Sequence, residues 1–118
     1  GCGRNFEGTL AQLHHSLQRL AALPDDTQVY CAHEYTASNG RFARLLDRDN
    51  PALTAKIDKA ARLVAAGKPS LPSTIGEERA ANPFLRCDVP AIARAVGLEA
   101  GTDPVAVFAE LRRRKDVF

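Results

Sequence analysis

The sequence predicts an α/β fragment followed by an all-α part: one helix and one strand, then four or five helices. Three observations carry this. Only Thr27-Gln28-Val29-Tyr30-Cys31 is dense in β-branched and aromatic residues, and Pro24-Asp25-Asp26 bounds it, which reads as a short buried strand. Elsewhere apolar residues recur at three- and four-residue steps, the helical period. From Thr36 to Phe118 helix-start signals repeat and no strand pattern appears.

Thr9 opens the first helix, with Gln12 three residues on to complete a capping box. Leu10, Leu13, Leu17, Leu20 and Leu23 form its apolar stripe. His14 and His15 are neighbours about 100° apart on that helix, so at most one could face a site, and both read as solvated. After the strand, Thr36 is the expected cap of a helix carrying Phe42, Leu45 and Leu46. Asn50-Pro51 starts the next, with Leu53, Ile57, Ala60 and Val64 inward, Lys56, Asp58, Lys59 and Arg62 on a wet face, and Gly67 ending it. Thr74 with Glu77 caps a short turn that Asn82-Pro83 stops. Asp88 is the expected cap of a helix that turns Ile92 and Val96 inward, and Asp103-Pro104 starts the last, with Val105, Phe108 and Leu111 inward. A lone strand cannot satisfy its backbone groups, so a sheet partner from outside this chain is expected.

Composition narrows the function. The chain has 118 residues, one domain's worth, with 45% hydrophobic residues and a net charge of +2, too little to imply nucleic acid. No apolar run approaches the ~20 residues of a membrane span. Three cysteines, Cys2, Cys31 and Cys87, make neither a CxxC pair nor an even set, which favours free thiols in a reducing, cytoplasmic setting. Cys31 and His33 would share a strand face, but structural zinc needs four ligands and no second cluster accompanies them. Opening on Gly1-Cys2-Gly3, with no Met anywhere, the chain reads as coming from the middle of a larger protein, a fragment or a separately produced domain.

His33 ends the strand just before a helix begins, the edge where α/β proteins place chemistry. Arg112 and Lys115, three apart on the last helix, share a face. Basic residues also favour helix C-termini through the dipole, so the pattern alone leaves ligand binding and solvation both open.

Four stretches together resemble glyoxalase II, the hydroxyacylglutathione hydrolases of the metallo-β-lactamase superfamily. They are Gly1-Cys2-Gly3-Arg4-Asn5-Phe6-Glu7-Gly8; Val29 to Thr36 around Cys31-Ala32-His33-Glu34-Tyr35; Leu71-Pro72-Ser73-Thr74 running to Asn82-Pro83-Phe84-Leu85-Arg86; and Arg112-Arg113-Arg114-Lys115-Asp116-Val117-Phe118. The resemblance implies that residues 1–35 are the end of an αβ/βα metallo-β-lactamase domain and 36–118 a helical domain that helps bind glutathione. It implies hydrolysis of S-lactoylglutathione to glutathione and a 2-hydroxy acid, a step of methylglyoxal detoxification, by two divalent metal ions, zinc or else iron or manganese, that activate a water. Only His33 of the metal ligands lies in this chain, so the piece alone is expected to lack turnover. The same resemblance places Arg4, Phe6, Tyr35, Asn39, Arg112 and Lys115 around the glutathione thioester. Phe6 stands where some members carry Tyr, and Ala32 where a glycine is usual; a left-handed backbone there would cost about 1–2 kcal/mol. The implied partners are that substrate and the preceding half of the same protein, with neither nucleic acid nor membrane. The alternative is a stand-alone helical interaction module derived from the same fold.

Overall fold

The computed structural model describes residues 1–118. It is mostly helical, with one two-stranded antiparallel sheet. The order is α1 (Leu10–Ala21), β1 (Gln28–Val29), α2 (Thr36–Leu46), α3 (Pro51–Ala65), β2 (Ser73–Thr74), α4 (Ile75–Ala81), a 3-10 turn (Pro83–Leu85), α5 (Pro90–Ala95) and α6 (Pro104–Asp116).

The expected strand is shorter and wetter than its composition suggested. Only Gln28 and Val29 pair, with Thr74 and Ser73, so the partner comes from inside the chain rather than outside it. The ladder stops because Thr74 turns at once to cap α4, its hydroxyl accepting from the Glu77 N–H. The helix start then extends the junction: Ile75 and Gly76 N–H groups, orphans of the first turn, donate to the carbonyls of Thr27 and Asp25 at 2.9 and 3.0 Å. Gln28 is exposed, Val29 half-buried and Tyr30 72% exposed.

Local chemistry explains most helix ends. Thr9 and Gln12 form the reciprocal capping box. Asn50 accepts from Ala52 and Leu53 ahead of Pro51, and Asp103 accepts from Val105 ahead of Pro104. Gly67 ends α3 at φ +71, where a side chain would be strained, and the Lys68 N–H closes back on the Leu63 carbonyl at 2.8 Å. Two expected caps fail. Tyr35, without a side-chain bond, occupies the cap position of α2, and the Thr36 hydroxyl bonds the Ser70 hydroxyl instead. Val89 occupies that of α5, with Pro90 alone marking its start and Asp88 exposed.

The core joins the first helix to the last three elements. Phe42, Phe84, Cys87, Ile92, Val96, Val107, Phe108 and Leu111 form it, and Leu10, Leu13 and Leu17 pack on its side. On α6 the buried face centres on Val107, Phe108 and Leu111, with Val105 only half-buried. His14 is not solvated as expected: it meets the Phe108 ring edge-on at 5.3 Å, and burial pushes its imidazole below the usual histidine value. His15 is exposed. On α3, Leu53 and Ala60 are buried while Val64 is 52% exposed. A buried Gly40 lets α2 and α3 approach closely, since a Cβ there would lie 2.8 Å from Ile57 Cγ1.

Phe108→Ala should therefore cost about 3–5 kcal/mol in urea unfolding, whereas Val64→Ala should stay within about 0.5 kcal/mol. The Glu110 carboxyl accepts from Arg113 and Arg114, and those hydrogen bonds hold it down at about 2, against an ordinary 4.5. Its contribution is fully present above pH 4.5 and is lost as pH falls toward about 2. Acid titration followed by circular dichroism should show Glu110→Gln losing that part of the pH dependence.

Candidate functional site

One cleft of about 460 Å³ gathers the first loop, the loop between β1 and α2, and the facing sides of α2, α3 and α4. Arg4, His33, Tyr35 and Asn39 all line it. Phe6, Arg112 and Lys115 do not: Phe6 is 89% exposed on the outer part of its loop, and the two basic residues lie on α6.

The His33 loop is fastened through its neighbour. The Glu34 carboxylate accepts from the Ser70 N–H at 3.0 Å and bonds the Ser70 hydroxyl as well. His33 itself is exposed, and its ring stacks on Tyr35 with centroids 4.9 Å apart. Neither imidazole nitrogen is spent within the chain, so the side chain is free to act as a ligand. Ala32 has no positive φ, so the glycine usual at that position is not required here. Asn39 keeps its side-chain amide free in the cleft, and Gly1 crosses it so closely that a Cβ would lie 2.5 Å from Asn39 Cγ. No group of three or more His, Cys, Asp and Glu comes together that could hold a metal ion.

Arg112 is 5% exposed. Its Nη1 donates to the carbonyls of Cys2 and Gly3 at 2.8 and 3.1 Å, its Nε and Nη2 bind Asp116, and the guanidinium lies 5.1 Å from the centre of the Phe84 ring. Lys115, one turn on, extends its Nζ over the Phe42 and Phe118 rings at 5.7 and 5.1 Å. It has no carboxylate partner. Burial against those rings, reinforced by Arg112, Arg41 and Arg4, holds its ammonium below the ordinary lysine range. Arg4 reaches the same place from the cleft side, its Nε 3.6 Å from the Asp116 carboxylate. Arg4 and Arg112 thus share the one Asp116 carboxylate, and Lys115 beside them is left without one, an arrangement suited to an incoming anion.

Composition concealed a second cluster. Lys56, expected on a wet face, pairs with Glu78 and donates to the Ser73 hydroxyl at 2.6 Å, with 18% and 13% of the two charged side chains exposed. Glu78 also accepts from Asn82 Nδ2 at 2.9 Å. Lys56 stands 22 residues from Glu78 and 17 from Ser73, so no local pattern marks its pairing.

Fold and site together define a mostly helical chain whose cleft holds one unspent imidazole and whose last helix carries an unpaired lysine beside two arginines. Comparison with known proteins names the family. The model of the family described as "Hydroxyacylglutathione hydrolase C-terminus" matches residues 34–118. Proteins named hydroxyacylglutathione hydrolase are 54% identical in Rhodopseudomonas palustris (strain BisA53), over 98% of this chain and 45% of the relative; 56% in Maricaulis maris (strain MCS10), over 100% and 46%; and 55% in Rhodobacter capsulatus, over 100% and 46%. The chain belongs to the hydroxyacylglutathione hydrolase family, as the C-terminal part, and spans slightly less than half the length of these relatives.

The thiols should report the site's packing. Cys31 is exposed, Cys2 is half-buried with burial raising its thiol, and Cys87 is buried and pushed up to about 12. A thiol-reactive dye should label Cys31 first, Cys2 slowly, and Cys87 only on unfolding.

Proposed function

We propose that this chain is the glutathione-recognising part of a metal-dependent hydroxyacylglutathione hydrolase, which converts S-lactoylglutathione to glutathione and a 2-hydroxy acid in the cytoplasm. In this reading residues 1–35 close a metallo-β-lactamase domain and residues 36–118 form the helical domain. Leu20, Leu23 and Tyr30, which are 52%, 40% and 72% exposed, are the apolar surface that the preceding half of the protein covers. No helix of the chain is long and apolar enough to cross a membrane.

The observation that carries the proposal is the unpaired Lys115 ammonium among Arg4, Arg41 and Arg112. A glutathione carboxylate placed there gains a charge-assisted hydrogen bond and relieves the crowding of cations. Arg112, with its nitrogens already engaged, adds charge and holds the first loop. Arg4 swings between Asp116 and the peptide, while the Asn39 amide and Tyr35 hydroxyl meet its backbone. Phe6, lacking a hydroxyl, offers an apolar contact only. His33 would donate one imidazole nitrogen to a pair of divalent ions, zinc or else iron or manganese, whose other ligands come from the preceding half. Such ions supply Lewis acidity for thioester hydrolysis.

In the full-length hydrolase, Lys115→Ala should raise KM for the glutathione thioester about ten- to hundredfold with kcat little changed, the loss of one charged hydrogen bond. An unchanged KM would overturn the reading. His33→Ala should lower the bound-metal content measured by atomic emission.

A further inference from the structure

We propose that Asn82 is a positioning residue for the glutathione site, acting through the Gly1–Arg4 loop, and that the half-buried Lys56–Glu78 pair exists to aim its amide. This rests on the reading that Arg4 meets the substrate.

Asn82 is 6% exposed and every polar atom of its side chain is used. Its Oδ1 accepts from the Phe84 N–H at 3.1 Å, which closes the 3-10 turn. Its Nδ2 donates one hydrogen to Glu78 at 2.9 Å and the other to the Gly1 carbonyl at 3.1 Å, 81 residues away. Which way an amide faces is set by its partners, and Glu78 can only accept. The carboxylate therefore forces the NH2 end toward Gly1. Lys56 and Ser73 in turn fix the carboxylate. An ion pair drawn this far out of water is weak support for stability, because desolvation offsets much of its attraction. As an orienting device it has a clear use.

The loop held in this way carries Arg4. Asn82 grips it at Gly1, and Arg112 grips it at Cys2 and Gly3. Between them they set where the Arg4 backbone leaves the domain, so a shift of the Gly1 carbonyl moves the guanidinium across the cleft.

The test uses the full-length hydrolase with steady-state kinetics on the glutathione thioester. Asn82→Ser keeps a hydroxyl to cap the 3-10 turn and removes the NH2. It should raise KM roughly three- to tenfold with kcat within about twofold, the effect of one lost hydrogen bond. The rise should vanish in an Arg4→Ala background, because Asn82 works only through Arg4. Should Asn82→Ser not fold, the double variant Lys56→Met/Glu78→Leu, which removes both charges together, should give the same KM rise and the same non-additivity. A folded variant with unchanged KM, or one whose effect adds fully to that of Arg4→Ala, overturns the proposal. If Arg4→Ala itself leaves KM unchanged, the placement of Arg4 in the site fails, and this proposal fails with it; a raised KM in Arg4→Ala with none in Asn82→Ser rejects the positioning role alone.

Discussion

The Arg112 guanidinium is the interaction on which the arrangement depends. It joins the last helix to the first loop, spanning 110 residues of sequence to the Cys2 carbonyl. A buried charge is costly unless paired and hydrogen-bonded, and here Asp116, two carbonyls and the face of Phe84 meet both needs. The apolar core of Phe84, Phe108 and Leu111 lies directly beneath. Packing and site are therefore coupled: the residue that seals the core at one end also sets the loop that borders the cleft.

Beside it, Lys115 is treated differently. Its ammonium lies over the rings of Phe42 and Phe118, but no carboxylate meets it, and Asp116 is already shared by Arg4 and Arg112. A folded domain gains nothing from leaving a cation crowded by three others. The Asn39 amide and the His33 imidazole, both lining the cleft, are likewise without partners in the chain. The matched relatives carry as much chain again beyond the stretch matched here.

The apolar stripe of α1 divides along its length, with Leu10, Leu13 and Leu17 against the core and Leu20 and Leu23 in the open. A two-residue ladder with β2 gives β1 one partner. At that end, α4 supplies what a wider sheet would, its first N–H groups bonding the chain at Thr27 and Asp25, while Arg79 grips the Ala21 and Leu23 carbonyls.

The helix starts at Thr9, Asn50, Thr74 and Asp103, and the inward turn of Leu53, Ile92, Phe108 and Leu111, were legible in the chain alone, because capping and periodicity act over three or four residues. Short motifs likewise singled out Arg4, His33, Tyr35 and Asn39, which the structure gathers in one cleft. The rest was decided by contacts that close over long loops. Lys56 looks like any surface lysine until α4 brings Glu78 against it, and His14 looks solvated until Phe108 arrives. Thr36 looks like a cap until Ser70 takes its hydroxyl, and Arg112 looks like a free basic residue until the first loop settles on it. Local sequence determined which residues could start helices and carry charge. Only the tertiary structure decided which charges are spent on the fold and which are left for a ligand, because burial and pairing depend on neighbours that the sequence keeps far apart.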